Sequence, residues 1–283
     1  MPAVPAYFDG LIAGFERGQA GRFVHLGAWA AQPLPDAPDD AAAFERAQHR
    51  LNDQLLAMAA LADGQRVVDV GCGFGGTLAA VDASHRGMTL LGLNIDPRQL
   101  AICASLRPAP GNTMIWLQAD ACGLPLADAS VDRLLCIEAM FHFSSRRRFF
   151  AEAARVLAPG GVMVASDILL SALPAPAGDG DGDGDDDEAE AEADRRIRSE
   201  VQPGLGPWPD FWGADADHRA LARAAGLACV SWVDAADATL PSHRHTAPAG
   251  AAARDAVGRA AATLAWLHRV GRLRYPLMRF DLA

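Results

Sequence analysis

At 283 residues, 51% hydrophobic and 21% charged, the chain has the length of one large domain or one domain with a substantial elaboration, enough to bury a sizeable core. No stretch approaches the roughly 18 uninterrupted apolar residues that cross a membrane. The formal charge of −10 misleads, because ten of the 35 acids fall between Asp179 and Asp194 and the other 25 balance 25 basic residues, every one an arginine. Without a basic stripe there is no landing surface for a phosphate backbone, which argues against a nucleic-acid partner, and without lysine there is no Schiff-base or lysine-base chemistry.

Met1 to Tyr7 has two prolines and no basic residue, so no secretory signal is expected there. Residues 1–62 read as helical, with Phe44, Leu51, Leu55 and Met58 at helical spacing forming an apolar stripe. Strands and helices then alternate: strands at 66–70, 88–94, 113–118, 132–137 and 161–167, and helices from 76, over 97–106 and over 146–157. Such alternation predicts a parallel sheet with helices on both faces. Asp96-Pro97 marks one helix start, and Pro159-Gly160-Gly161 one helix stop.

From 171 to about 213 this pattern breaks. The acidic run predicts a solvated, self-repelling disordered loop. Asp179, Asp181, Asp183, Gly184 and Glu190 satisfy a calcium-loop pattern, but Leu173-Pro174-Ala175-Pro176 cannot be its entering helix, and an Asp-Gly tract matches such patterns by chance. A helix at 215–225, a strand at 227–233, a helix at 249–272 and a last segment near 273–280 follow, where Pro276 predicts an edge or broken strand. The cysteines (72, 103, 122, 136 and 229) are odd in number and lack C-x-x-C spacing, so they read as reduced thiols of a cytoplasmic protein with no metal site.

The most informative segment is Asp69-Val70-Gly71-Cys72-Gly73-Phe74-Gly75-Gly76, directly after Arg66-Val67-Val68. A β-rich run opens through a glycine turn into a helix, the unit in which backbone approaches a nucleotide-type cofactor. Gly71, Gly73 and Gly76 also satisfy the dinucleotide pattern G-x-G-x-x-G, but a nicotinamide enzyme wants an acid at the end of the second strand, and that strand ends at Asn94. The later segments decide between the two. They are His25-Leu26-Gly27-Ala28-Trp29, Gly92-Leu93-Asn94-Ile95-Asp96 with Gln99, Asp120-Ala121 leading to Leu124-Pro125-Leu126, Glu138-Ala139-Met140-Phe141-His142-Phe143, Arg155-Val156-Leu157-Ala158-Pro159-Gly160-Gly161, and Ser166-Asp167. Over about residues 22–170 the chain resembles class I S-adenosylmethionine-dependent methyltransferases of the small-molecule, natural-product branch, such as the rebeccamycin-type sugar O-methyltransferases.

The resemblance implies a Rossmann-like α/β fold with a seven-stranded, mostly parallel sheet, an N-terminal helical cap and a lid inserted after strand 5. The implied domains are a cap at 1–62, a cofactor-binding core at 63–170, a flexible acidic insertion and lid at 171–213, and completion of the sheet with a substrate region at 214–283. It places S-adenosyl-L-methionine against Gly71, Cys72 and Gly73, with Asp69 anchoring the ammonium or bracing the turn. Asn94, Ile95 and Gln99 serve the ribose, Asp120 and Ala121 the adenine, Glu138 lines the pocket, and His25 and Trp29 cover it. His142 is the implied general base and Asp167 its partner; relatives often carry two consecutive histidines where this chain has Phe141 and His142. Phe141, Phe143, Trp208, Phe211, Trp212 and Trp266 are either pocket walls or ordinary core. The expected reaction moves a methyl group to a small metabolite, most of all to a hydroxyl oxygen of a secondary metabolite. Its rivals are C- or N-methylation, a cyclase using the same fold, and a non-catalytic scaffold.

Overall fold

The computed structural model describes residues 4–30, 41–170, 185–206, 208, 215–247 and 255–282. Helices α1 (Phe8–Glu16) and α2 (Ala41–Ala59) precede the alternating region of β1 (Arg66–Val70), α3 (Gly76–Ser84), β2 (Thr89–Asn94), α4 (Pro97–Cys103), β3 (Thr113–Gln118), β4 (Val131–Ile137), α5 (Arg146–Val156) and β5 (Leu157–Ser166). Then come β6 (Leu169–Leu170), α6 (Asp185–Arg196), which runs on into a π-turn over Ile197–Val201, α7 (Gln202–Leu205), α8 (Asp215–Ala224), β7 (Leu227–Asp234), α9 (Ala236–Thr239), α10 (His243–Thr246), α11 (Ala256–Arg269), β8 (Leu273–Arg274) and β9 (Pro276–Leu282).

Seven strands form one sheet in the order β3-β2-β1-β4-β5-β9-β7, parallel except for β9, which runs against both neighbours. This is the fold class expected from the sequence. Strand residues alternate between two cores, as a period of two requires. Val67, Leu90, Leu135, Val164 and Leu277 pack with Leu51 and Leu55 of α2, Leu78 of α3 and Leu267 of α11 on one face. Val68, Leu134, Cys136, Met163 and Phe280 pack with Phe149 and Phe150 of α5 and Ala222 of α8 on the other. Helix starts follow the local chemistry: Asp96 caps α4 through Arg98 N at 2.9 Å with Pro97 in its first turn, and Ser145 caps α5 through Arg148 N at 3.2 Å.

Two expectations need correcting. The segment with Pro276 is a central strand, flanked by β5 and β7. Pro276 opens it, the one position where a missing N–H leaves the ladder intact. The acidic run is helical from Asp185 onward, because Glu-Ala repeats are good helix formers and the run ends in arginines that pair back along the helix, Arg196 to Glu192 at 2.6 Å and Arg198 to Asp194 at 2.8 Å. Its Asp-Gly half, with the calcium-type pattern, lies outside the described residues.

The sheet order also places the site. The chain leaves β1 toward β2 and β3 on one side and crosses to β4 on the other. The carboxyl ends of β1 and β4 therefore bound the crevice where α/β sheets bind ligands.

Candidate active site

A cavity of about 190 Å³ opens at that crevice, with the turn after β1, the end of β2, the loop after β3, the loop after β4 and the start of α1 around it. The glycine turn is drawn over the end of β2, since Gly71 N and Cys72 N both donate to Leu93 O, at 2.8 and 3.0 Å. Gly71 has φ +83°, and a Cβ there would sit 2.5 Å from the Ala139 Cβ in the loop after β4. Only glycine lets the two loops meet so closely. Directly behind the turn, the Asp69 carboxyl is buried, and burial pushes its pKa up to about 7, with no opposing cation among the described residues to hold it down.

At the end of β2 stands a pair of amides. Asn94 Nδ2 donates to Gln99 Oε1 at 3.0 Å, and Asn94 Oδ1 accepts from Asp96 N at 3.0 Å. The Gln99 amide N–H groups and a second lone pair on Asn94 Oδ1 remain for a diol. Asp120 braces the loop after β3 by accepting from Cys122 N through Oδ1 at 2.9 Å, and Ile95 and Ala121 complete this wall.

The opposite end is aromatic. His142 closes a short 3-10 turn, Met140–His142, that the loop after β4 makes before α5. Its Nε2 lies 2.7 Å from the Tyr7 hydroxyl, and its ring packs against those of Tyr7, Phe8 and Phe141. Burial pulls its pKa down to about 3, against the opposing negative charge of Asp167, so the imidazole is neutral. Phe143 lines the cavity, whereas Trp208 buttresses Phe141 edge-on from behind. Glu138 takes φ +50°, a conformation unusual outside glycine. Its carboxylate accepts from Leu26 N at 2.8 Å and from the Tyr275 hydroxyl, and burial, outweighing these bonds, pushes its pKa up to about 7.

Gly71, Gly73, Asn94, Ile95, Gln99, Asp120, Ala121, Glu138 and His142 thus line one cavity. Five residues expected there stand elsewhere. Asp69 lies behind the turn, and the Cys72 thiol turns away to pack with Leu100 and Cys103. The buried His25 bonds Leu26 O through Nδ1 at 2.7 Å. Trp29 stacks on His245, which also stacks on Phe44, and donates to Ser242 Oγ at 3.0 Å, fastening the N-terminal segment to the 236–246 region rather than covering the cavity. Asp167 is the largest correction. It is fully buried, and its carboxylate is taken by Arg146 Nε at 2.8 Å, His218 Nε2 at 3.2 Å and Ile168 N at 3.0 Å, not by His142. Burial would raise this acid, but Arg146 and His218 outweigh it and hold it below the ordinary carboxylate range. Of the other aromatics, Trp266 lies under the Arg196 guanidinium at 4.6 Å, away from the cavity, and Phe211 and Trp212 lie outside the described residues.

The residue that sequence reasoning missed is Tyr7. It directly precedes Phe8, Leu11, Ile12 and Phe15, an apolar stripe at helical spacing that marks α1 as a cover for the cavity. Asp9 of α1 pairs with Arg98 at 2.6 Å, and Arg98 in turn with Asp96 at 2.9 Å, which ties this cover to the end of β2.

Residues 68–165 match a protein family described as a methyltransferase domain. Among curated relatives, 27-O-demethylrifamycin SV methyltransferase of Amycolatopsis mediterranei is 33% identical over 157 residues, 55% of this chain and 54% of that protein. The chain spans about half the length of the first curated relatives it matches. Geranyl diphosphate C-methyltransferase of Streptomyces coelicolor shares the fold with a TM-score of 0.69 at 16% identity, covering 100% of both chains. The [4+2]-cyclase SpnF shares it with a TM-score of 0.66 at 21% identity, covering 96% of this chain and 91% of that one. Residues 68–165 thus match a methyltransferase domain, and the sheet order of the whole chain is that of the fold it shares with these solved structures.

Proposed function

We propose that this protein transfers a methyl group from S-adenosylmethionine to a hydroxyl oxygen of a small secondary metabolite. The observation that carries this reading is the polarity of the cavity, with the amides of Asn94 and Gln99 and the carboxylate of Asp120 at one end and a neutral histidine boxed by aromatic rings at the other. The residues present suit the cofactor. Asp69, although not in the cavity lining, lies directly behind the glycine turn as a buried acid with no cation beside it among the described residues, a charge that an ammonium group held at the turn would supply; Gln99 and Asn94 offer a donor and an acceptor to the ribose; Asp120 offers an acceptor to the adenine amine. When bound, the cofactor supplies a methyl group activated by a positively charged sulfur.

What remains for the protein is to position a nucleophile, take its proton and exclude water. His142, neutral and held by Tyr7, Phe8 and Phe141, is where the proton ends. Phe8, Phe141 and Phe143 wall an apolar acceptor, in keeping with the balanced charge outside the acidic run. Asp167 acts at a distance, since its buried charge favours a proton on His142 without touching the acceptor. On this reading 1–62 is a cap, 63–170 the cofactor-binding core, 171–213 an insertion and lid of which only 185–206 and 208 are among the described residues, and 214–283 the completion of the sheet with the substrate region. Five unbridged cysteines support a reducing, cytoplasmic setting, and no helix among the described residues is long and apolar enough to cross a membrane.

The test is to incubate the purified protein with methyl-labelled S-adenosylmethionine and pools of hydroxylated metabolites, and to analyse the products by mass spectrometry. A labelled methyl ether is expected, and His142→Ala should cut kcat by about 10²–10⁴-fold while S-adenosylhomocysteine still binds. A methyl group found on carbon or nitrogen, or a product of unchanged mass, would refute hydroxyl methylation.

A further inference from the structure

We propose that Tyr7 is the group that takes the proton from the acceptor hydroxyl and relays it to His142. The inference rests on the hydroxyl-methylation reading above and names the residue that touches the acceptor. Its ground is the accessibility of the two imidazole nitrogens. Nε2 is already engaged by the Tyr7 hydroxyl at 2.7 Å, and Nδ1 is buried with no hydrogen-bond partner among the described residues. Neither nitrogen is open to an incoming hydroxyl, whereas the Tyr7 oxygen, on the cavity wall beside His142, keeps a lone pair for one.

Protonation states suit this direction. Burial pulls His142 down, so the imidazole carries a single proton, and burial drives Tyr7 well above the ordinary phenol range, so its hydroxyl keeps its own. With Tyr7 donating to Nε2, the ring proton sits on Nδ1. In the transfer step the acceptor O–H proton passes to the Tyr7 oxygen as the Tyr7 proton passes to Nε2. The freed electron pair of the acceptor oxygen forms the O–CH3 bond, the S–CH3 bond breaks, and its electron pair stays on sulfur. One positive charge is present before, on sulfur, and one after, on His142. The buried site thus never holds an additional charge, and Tyr7 returns to its starting state.

Two measurements test this. Histidine-selective 15N NMR of the wild-type protein needs no acceptor. A proton on Nδ1 of His142 and a hydrogen-bonded, unprotonated Nε2 are expected, with the Nε2 signal moving in Tyr7→Phe. A proton on Nε2 in the wild type overturns the relay and leaves the hydroxyl-methylation reading intact. In the methyl-transfer assay, Tyr7→Phe should lower kcat by about 10²-fold with KM for S-adenosylmethionine unchanged. The double variant with His142→Ala should lose no more than His142→Ala alone, the mark of two groups acting as one. A raised KM with kcat preserved would make Tyr7 only a cover and would overturn the relay. Failure of the wild type to form any methyl ether, with the NMR signature present, would instead sink the hydroxyl-methylation reading and the relay with it.

Discussion

Replacing Asp167 with asparagine separates a structural acid from a catalytic one. The carboxylate has no exposed surface and binds a guanidinium, Arg146, that is only 3% exposed. Asparagine keeps the shape and removes the charge that compensates Arg146 and faces His218. Breaking a buried pair from one side costs roughly 3–5 kcal/mol, which in a chain of this size lowers Tm by on the order of 10 °C. Urea titration and calorimetry at pH 7 on Asp167→Asn measure this directly. The sign of the pH dependence follows from the depressed acid. Its stabilisation is complete above the unfolded-state pKa of about 4 and is lost as pH falls through the lower folded-state value. The gap between wild type and variant should therefore close in acid. Turnover of the folded variant should fall far less than that of His142→Ala, because Asp167 reaches His142 only as a distant charge. A variant of wild-type stability with turnover abolished would refute this reasoning and put Asp167 in the reaction.

Asp69 gives a second prediction. Its pKa is raised by burial, so the folded protein binds a proton that the unfolded chain releases, and stability falls as pH rises from about 4 to 7. Asp69→Asn should remove roughly 2–4 kcal/mol of that decline and raise stability at pH 8, while weakening S-adenosylhomocysteine binding. Calorimetry at pH 6.5 in buffers of different ionisation enthalpy should show proton release when the wild type binds this ligand, and none in the variant; release persisting in Asp69→Asn would assign the proton to another group. Ser242 gives a third. Its hydroxyl accepts from Gly27 N at 2.9 Å and Trp29 Nε1 at 3.0 Å and donates to Gly27 O at 3.1 Å. Ser242→Ala strands these groups, so a loss of about 1–3 kcal/mol in urea unfolding is expected, with faster hydrogen exchange over residues 22–30. Unchanged exchange would show that the segment is held by other contacts.

Residue order was enough for whatever depends on near neighbours in the chain. A strand, a glycine turn and a helix are consecutive, so Asp69 through Gly76 announced the turn that borders the cavity, and alternating apolar runs announced the parallel sheet. Asn94, Gln99 and Asp120 could be placed because each closes or follows a strand, and strand ends of a parallel sheet share one edge. Tertiary structure alone decided what depends on which side chains meet. Asp167 also stands at a strand end, yet its carboxylate turns into the core toward Arg146 and His218, 21 and 51 residues away. His142 instead meets Tyr7, 135 residues distant, because α1 folds back over the cavity. Pro276 reads as an edge signal until the sheet shows that its missing N–H falls at the strand's first position. Local pattern fixes backbone direction and period. Which nitrogen finds which oxygen is set by packing between segments far apart in the chain, and no periodicity records it.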